Sequence, residues 1–168
     1  MSTVPIDIRI STRADAATLT CLHQDAWRYA YRGIIPAVTL EKMIQRRDVR
    51  WWERMHRVGG QALLLEFDHE VAGYATFGPN RVRKLALGGE IYELYLKPQY
   101  QGVGFGKRLF KEARRRMRER GYTGHLVWSL GANESACRFY EALGGKEHAR
   151  TIEALGGLKF EKIAFVWR

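Results

Sequence analysis

The chain has 168 residues, 46% hydrophobic and 12% aromatic, with a net charge of +10. That length and composition suit one domain with a sizeable core and exclude a disordered chain. Two cysteines without Cys-x-x-Cys spacing and five scattered histidines argue against a disulfide scaffold or a zinc cluster, so no metal is expected. No run approaches the ~20 apolar residues of a membrane span. Met1 to Ile10 lacks the basic-then-apolar order of a signal peptide, so a reducing, cytoplasmic setting is expected.

Ile6, Ile8 and Ile10 alternate with Asp7 and Arg9 and predict a first strand. Thr12-x-x-Asp15 reads as a capping box, and Leu19, Leu22, His23, Ala26, Trp27 and Ala30 then recur at helical spacing. Arg32-Gly33 breaks that helix and Pro36 opens the next. Val38 to Ile44 and Val49 to Val58 predict two short helices, closed by Gly59-Gly60. Ala62 to Phe67 and Val71 to Phe77 predict a hairpin around Asp68-His69-Glu70, stopped by Gly78-Pro79-Asn80. Glu90 to Lys97 predicts a central strand, followed by the glycine loop Gln101-Gly102-Val103-Gly104-Phe105-Gly106.

Phe105, Leu109, Phe110, Ala113 and Met117 form one face of the next helix, which Gly121 ends. Leu126 to Trp128 lie in a fifth strand. Asn133 caps a helix carrying Ala136, Phe139, Tyr140 and Leu143. Lys146 to Glu153 and Leu158 to Trp167 predict a last strand pair around Gly156-Gly157. The order is mixed α/β without repeat or linker, so residues 1–168 are expected to form a single domain.

The glycine loop is the most informative stretch. Strand, glycine turn and helix N-terminus together make an anion site, because first-turn N–H groups and the helix dipole face the ligand. A P-loop is excluded: Gly106 is followed by Lys107 and Arg108, and Gln101 stands where its first glycine should be. A dinucleotide fingerprint is excluded too, since the spacing is G-x-G-x-G and Gly124 to Ser129 carries no acid. Eight basic residues lie between Lys107 and Arg120, against Glu112 and Glu119. They read as a solvated face, or as attraction for a polyanionic cofactor or RNA. Lys107 and Arg108 are best placed for direct contact.

Gln101, Gly104 and Gly106 fit Q/R-x-x-G-x-G/A, which resembles the acyl-CoA loop of the GNAT superfamily of N-acetyltransferases. Separate stretches extend the resemblance over nearly the whole chain. Trp27 with Tyr31-Arg32-Gly33-Ile34-Ile35-Pro36 resembles the acceptor-side helix junction of one bacterial branch. Ala72 to Arg81, Glu90 to Pro98, Asn133-x-x-Ala136-x-x-Phe139-Tyr140-x-x-Leu143-Gly144 and Lys159 to Trp167 are similar to its later elements. Leu96 stands where the family often has Val. The resemblance implies a GNAT-like fold with a mixed sheet of about six to seven strands flanked by helices.

It also implies acetyl-CoA as co-substrate and direct acetyl transfer to a primary amine in a ternary complex. An amine must lose a proton to attack a thioester, and a carboxylate can take it. Glu90 and Glu93 are the candidates, and a base often occurs in the family at the position of Glu90. Residues three apart in a regular strand face opposite sides, so only one faces the site unless a bulge re-aims the strand. Backbone N–H groups beside Leu94, Tyr95 and Leu96 would stabilise the oxyanion and, by resemblance, pair with the pantetheine arm. Tyr140 is implied as general acid for the thiolate, although its position also fits a core aromatic. Asn133 is explained by capping, and by resemblance also bonds the cofactor arm.

Trp27 and Tyr31, with Trp51 and Trp52, lie on the N-terminal helices, which shape the acceptor pocket in this family. There they enclose an aliphatic amine, stack on a cation, or simply pack the core. Cys137 reads as packing. The partner expected is a small or protein-borne amine, with no specific nucleic acid, no membrane, and a homodimer left open. The acceptor stays open among small amines or polyamines, aminoglycoside-like compounds, and protein N-termini or lysines. The rival reading is a non-catalytic acyl-CoA-binding or basic RNA-associated protein.

Overall fold

The computed structural model describes residues 3–168; Met1 and Ser2, counted in the expected domain and N-terminal reading, lie outside the described residues. The strands are β1 (Ile6–Ile10), β2 (Ala62–Phe67), β3 (Glu70–Pro79), β4 (Gly89–Leu96), β5 (His125–Leu130), β6 (Lys146–Leu155) and β7 (Leu158–Trp167). The helices are α1 (Ala16–Tyr31), α2 (Ala37–Gln45), α3 (Val49–Arg57), α4 (Phe105–Glu119) and α5 (Glu134–Ala142). All seven strands share one sheet, ordered β1-β2-β3-β4-β5-β7-β6. Only β4 and β5 run parallel, because α4 crosses between them. This is the expected mixed α/β architecture.

Local chemistry explains most boundaries. The Thr12 N–H donates to the Asp15 carboxylate at 2.7 Å, which also takes Arg9 at 2.8 Å. The Asp48 carboxylate caps α3 by accepting from the Trp51 N–H at 2.9 Å. Asp68 and His69 turn the β2–β3 hairpin with φ of 51° and 63°, the pair of left-handed residues whose twist matches the flanking strands. Strand β3 runs two residues past the expected stop at Phe77, because Gly78 and Pro79 continue the register onto Glu90 and Gly89.

The sheet separates two cores. One face packs Leu63, Leu65, Ala75, Phe77 and Ile91 against the α4 row of Leu109, Phe110, Ala113 and Met117. The other packs Leu64 and Tyr74 under Leu19 and Leu22 of α1 and Trp52 of α3. Burying each large apolar side chain contributes about 1.5–3 kcal/mol. This sandwich makes β4 a rigid wall with α1–α3 on one side and α4 on the other.

Two irregularities of β4 position the site. Its pairing with β5 covers only Gly89↔His125 to Ile91↔Val127, and beyond Ile91 the strands part. Its register with β3 also shifts, since Thr76 faces Glu93 while Phe77 faces Ile91, leaving Tyr92 as an extra residue. That bulge resolves the question of the paired carboxylates. Glu90 lies opposite Gly78 and Glu93 opposite Thr76, so both stand on the α1–α3 face despite their three-residue spacing.

Candidate active site

Where β4 and β5 part, a cleft of about 660 Å³ opens through the sheet. Residues from both faces of β4 line it, Glu93 and Tyr95 with Leu94 and Leu96. That is possible because the β5-facing edge of β4 has no strand partner beyond Ile91, leaving ladder groups free to bond a ligand. Tyr31, Gln101, Gly102, Gly104, Gly106, Lys107, Asn133 and Tyr140 complete the expected residues that meet there.

Five others fall outside the lining. Val103 is 62% exposed at the loop tip and Phe105 is 7% exposed within the core, beside Tyr100 and Phe67. Arg108 points to solvent. Glu90 is held by Arg81 and Trp27 lies against Arg47, and neither lines the cleft.

The loop's glycines do different work. Gly104 precedes α4 at φ 87°, and a Cβ there would meet nothing within 4 Å, so the space before the helix is open. No side chain caps α4. The first bond to the loop carbonyl comes from Arg108 N–H to Gly104 O at 3.2 Å, so the N–H groups of Phe105, Gly106 and Lys107 have no carbonyl of their own helix. Gly106, the last glycine of the motif, has a packing reason: a Cβ there would stand 3.1 Å from the Phe139 ring. It lets α4 and α5 touch. Gln101 Nε2 ties the loop to β4 by donating to Leu96 O at 3.3 Å.

Helix α5 supplies the opposite lip. Asn133 Oδ1 accepts from the Ala136 N–H at 3.3 Å while also lining the cleft, so capping and cleft contact coexist. Tyr140 is 6% exposed, its ring packed by Phe139, Phe165 and Trp167. Burial, then the neighbouring Tyr31 and Cys137, pushes its phenol above the usual range. It therefore stays protonated at neutral pH as a donor.

The α1–α3 side of β4 holds a polar cluster. Glu93 is paired with Arg47 through one oxygen, and its other oxygen, Oε2, is buried without a partner. The Arg47 guanidinium lies 4.4 Å from the Trp51 ring centroid, 5.6 Å from Trp52 and 5.8 Å from Trp27. Trp27 thus stacks on the chain's own cation. The Tyr31 and Tyr95 hydroxyls are 2.8 Å apart. Tyr74, its phenol pushed well up by burial and then by Glu93, meets His23 Nδ1 at 3.1 Å. Burial, helped by Arg47, lowers His23 to about 3, so the ring is neutral at physiological pH.

Glu90 is differently engaged. Its carboxylate is 2% exposed and takes Arg81 Nη2 at 2.6 Å, Nε at 3.2 Å and the Arg81 N–H at 3.2 Å. Arg81 stacks on Tyr92 at 4.2 Å, and Asn80 Nδ2 lies within 3.1 Å of the Val82, Leu85 and Leu87 carbonyls. Glu90 therefore pins the 80–88 loop. Sequence reasoning missed Arg47. The available signal was an arginine four residues before the first of two adjacent tryptophans.

A second cavity of about 250 Å³ is lined by Ser11 and His56, bonded at 2.7 Å. His56 Nδ1 faces the Trp52 carbonyl at 2.8 Å, which only accepts, so Nε2 accepts from Ser11. Ser11 Oγ in turn accepts from the Ala62 N–H at 2.9 Å. Every member is satisfied, and the set ties β1, α3 and β2 together. Among the described residues no cluster of His, Cys, Asp or Glu could hold a metal ion, and no helix is long and apolar enough to cross a membrane.

Known proteins resemble this chain in sequence and in fold. The chain is 25% identical over 162 residues to the uncharacterized N-acetyltransferase YuaI of Bacillus subtilis, covering 96% of this chain and 92% of that one. It is 27% identical over 142 residues to spermidine N(1)-acetyltransferase of Thermoplasma acidophilum, covering 84% and 88%. The fold matches PaiA N-acetyltransferase of Thermoplasma acidophilum, solved with coenzyme A, at a TM-score of 0.71 and 22% identity over 95% and 98% of the two chains. Residues 20–145 match the family model described as acetyltransferase (GNAT) family. That match runs from within α1 to just past α5 and includes the whole strand fork, so the chain belongs to the GNAT acetyltransferase family.

Proposed function

We propose that this protein transfers an acetyl group from acetyl-CoA to a primary amine by direct attack in a ternary complex. One observation carries the reading. The β4–β5 fork joins an open, uncapped helix N-terminus to a cleft with a protonated phenol on one lip and a carboxylate on the other. The residues suit the co-substrate. The open space at Gly104 and the donors of Phe105, Gly106 and Lys107 suit its phosphates. The free edge of β4 from Glu93 to Leu96, with Asn133, suits its pantetheine arm. Acetyl-CoA supplies an acetyl group activated as a thioester.

Tyr140 gives a proton to the departing sulfur. Glu93 takes the proton of the amine, directly or through water, since it is the carboxylate that lines the cleft and one of its oxygens has no partner. Glu90 is assigned to hold the 80–88 loop. The Trp27 to Pro36 segment forms the α1–α2 junction beside the cleft, which supports reading the chain within the bacterial branch that it resembles.

Thiol release from acetyl-CoA, measured against a panel of amines and peptides, tests the proposal. Amine-dependent release is expected. Binding of acetyl-CoA without release by any amine would favour a non-catalytic acyl-CoA binder. The α4 charge gives RNA less support than its sequence suggests, because Glu112 takes Arg115 and Arg116 and Glu119 takes Arg115.

A further inference from the structure

We infer that Arg47 is a specificity-determining residue that selects acceptor amines lacking a second cationic group, so that polyamines are disfavoured. The inference rests on the acetyltransfer reading and narrows its acceptor class. Among the residues lining the cleft, Glu93 is the one carboxylate, and Arg47 already pairs with it. Three indole faces, those of Trp27, Trp51 and Trp52, hold the same guanidinium. Aromatic faces with a carboxylate form the kind of box that takes an alkylammonium. Here the chain's own cation fills it.

Arginine does not lose its charge in a protein. A polyamine's second ammonium would therefore find the indole box filled by a fixed cation and the cleft's one carboxylate already paired with it. Glu153, whose charge reaches Tyr31, is itself taken up by Lys162 at 3.5 Å. The net charge of +10 acts in the same direction at longer range. The reacting amine is not penalised in this way, because it attacks in its neutral form. A neighbouring cation favours that form by disfavouring the ammonium. Arg47 thus discriminates against a second ammonium while easing deprotonation of the first. This separates the chain from its relative named for spermidine.

The test compares kcat/KM for pentylamine with that for 1,5-diaminopentane and spermidine, in wild type, Arg47→Met and Arg47→Lys. Wild type is expected to favour pentylamine by about tenfold or more, a ratio within reach of one like-charge contact at surface dielectric. Arg47→Met should bring the ratio to within about threefold of unity, since it removes the fixed cation and opens the indole box to a second ammonium. Arg47→Lys should keep the wild-type preference. If Arg47→Met does not fold, Arg47→Gln is the second variant: it removes the charge, can still donate to Glu93, and should narrow the ratio in the same direction. Polyamines equal to or better than pentylamine in wild type, or an unchanged ratio in the folded neutral variant, Arg47→Met or Arg47→Gln, would each overturn the inference and leave acetyl transfer standing. No release with any amine would overturn the acetyltransfer reading itself, and this inference with it.

Discussion

The two sides of the cleft are built from different materials. The donor side is mostly backbone: a strand edge without a partner, two left-handed glycines and the first turn of α4. The side proposed for the acceptor is mostly side chains brought from separate elements, with Trp27 and Tyr31 on α1, Arg47 after α2, Trp51 and Trp52 on α3 and Glu93 on β4. Backbone geometry places donors with little dependence on side-chain identity, which suits a ligand of fixed chemistry. Side-chain clusters can be rewritten one residue at a time, which suits a variable acceptor. We expect cofactor affinity and acceptor choice to respond to separate mutations.

The largest effect should come from Tyr140, which belongs to the donor lip but acts on chemistry. Tyr140→Phe keeps the ring packed against Phe139, Phe165 and Trp167 and removes the proton. Turnover should fall by roughly 10²–10⁴-fold, in kcat more than in cofactor affinity. Steady-state thiol release beside melting curves checks this. Lower stability with unchanged turnover would make Tyr140 a core residue only.

Next come the two loop glycines, which test whether backbone carries the donor side. Gly104→Val forces a branched side chain to φ 87° and crowds the open space before α4. At a concentration of 100 times Kd, acetyl-CoA should stabilise wild type by about 2.7 kcal/mol, and this variant should lose most of that gain. Gly106→Ala should instead cost stability without ligand, roughly 1–3 kcal/mol from overpacking against Phe139. Thermal shifts with and without acetyl-CoA separate the two. Equal behaviour of the variants would end the distinction drawn between the glycines.

A smaller effect links the acceptor wall to pH. Burial lowers His23 to about 3 and His125 to about 4, from 6.5. Between those values and 6.5 the unfolded chain binds more protons than the folded one, so stability falls as pH drops and is flat above about 6.5. Each histidine contributes a slope of up to about 1.4 kcal/mol per pH unit in that window. Denaturant unfolding at pH 7 and pH 5 should show the loss, and His23→Asn should reduce it. An unchanged pH dependence in that variant would mean that His23 is protonated in the fold. The smallest effect belongs to the exposed ion pairs of α4. Glu119→Gln removes its bond to Arg115 and should move stability by no more than about 1 kcal/mol. A larger loss would make the charged face part of the fold's support.

Legibility in the sequence followed the same division. The buried row of α4 was readable because Phe105, Leu109, Phe110, Ala113 and Met117 recur at the helical period, and all are buried. Asn133 was readable as a cap because capping is decided within three residues. Glu90 and Glu93 could not be ranked. Their spacing put them on opposite faces of a regular strand, and the Tyr92 bulge put them on one. Arg47 was invisible as a site residue because its partner Glu93 lies 46 positions away.

By itself, then, the sequence determined the elements, the glycine turn before α4 and the apolar stripes. Each depends on dihedral preference or periodicity over a few neighbouring residues. The tertiary structure decided what those elements do to one another. It parted β4 from β5 after Ile91, aimed Glu93 into the cleft while Arg81 covered Glu90, and set Arg47 among three tryptophans. Such choices cost almost nothing locally in either direction. Only the packing of α1, α3 and the sheet, with charges that must find partners once buried, makes one of them the lower in free energy.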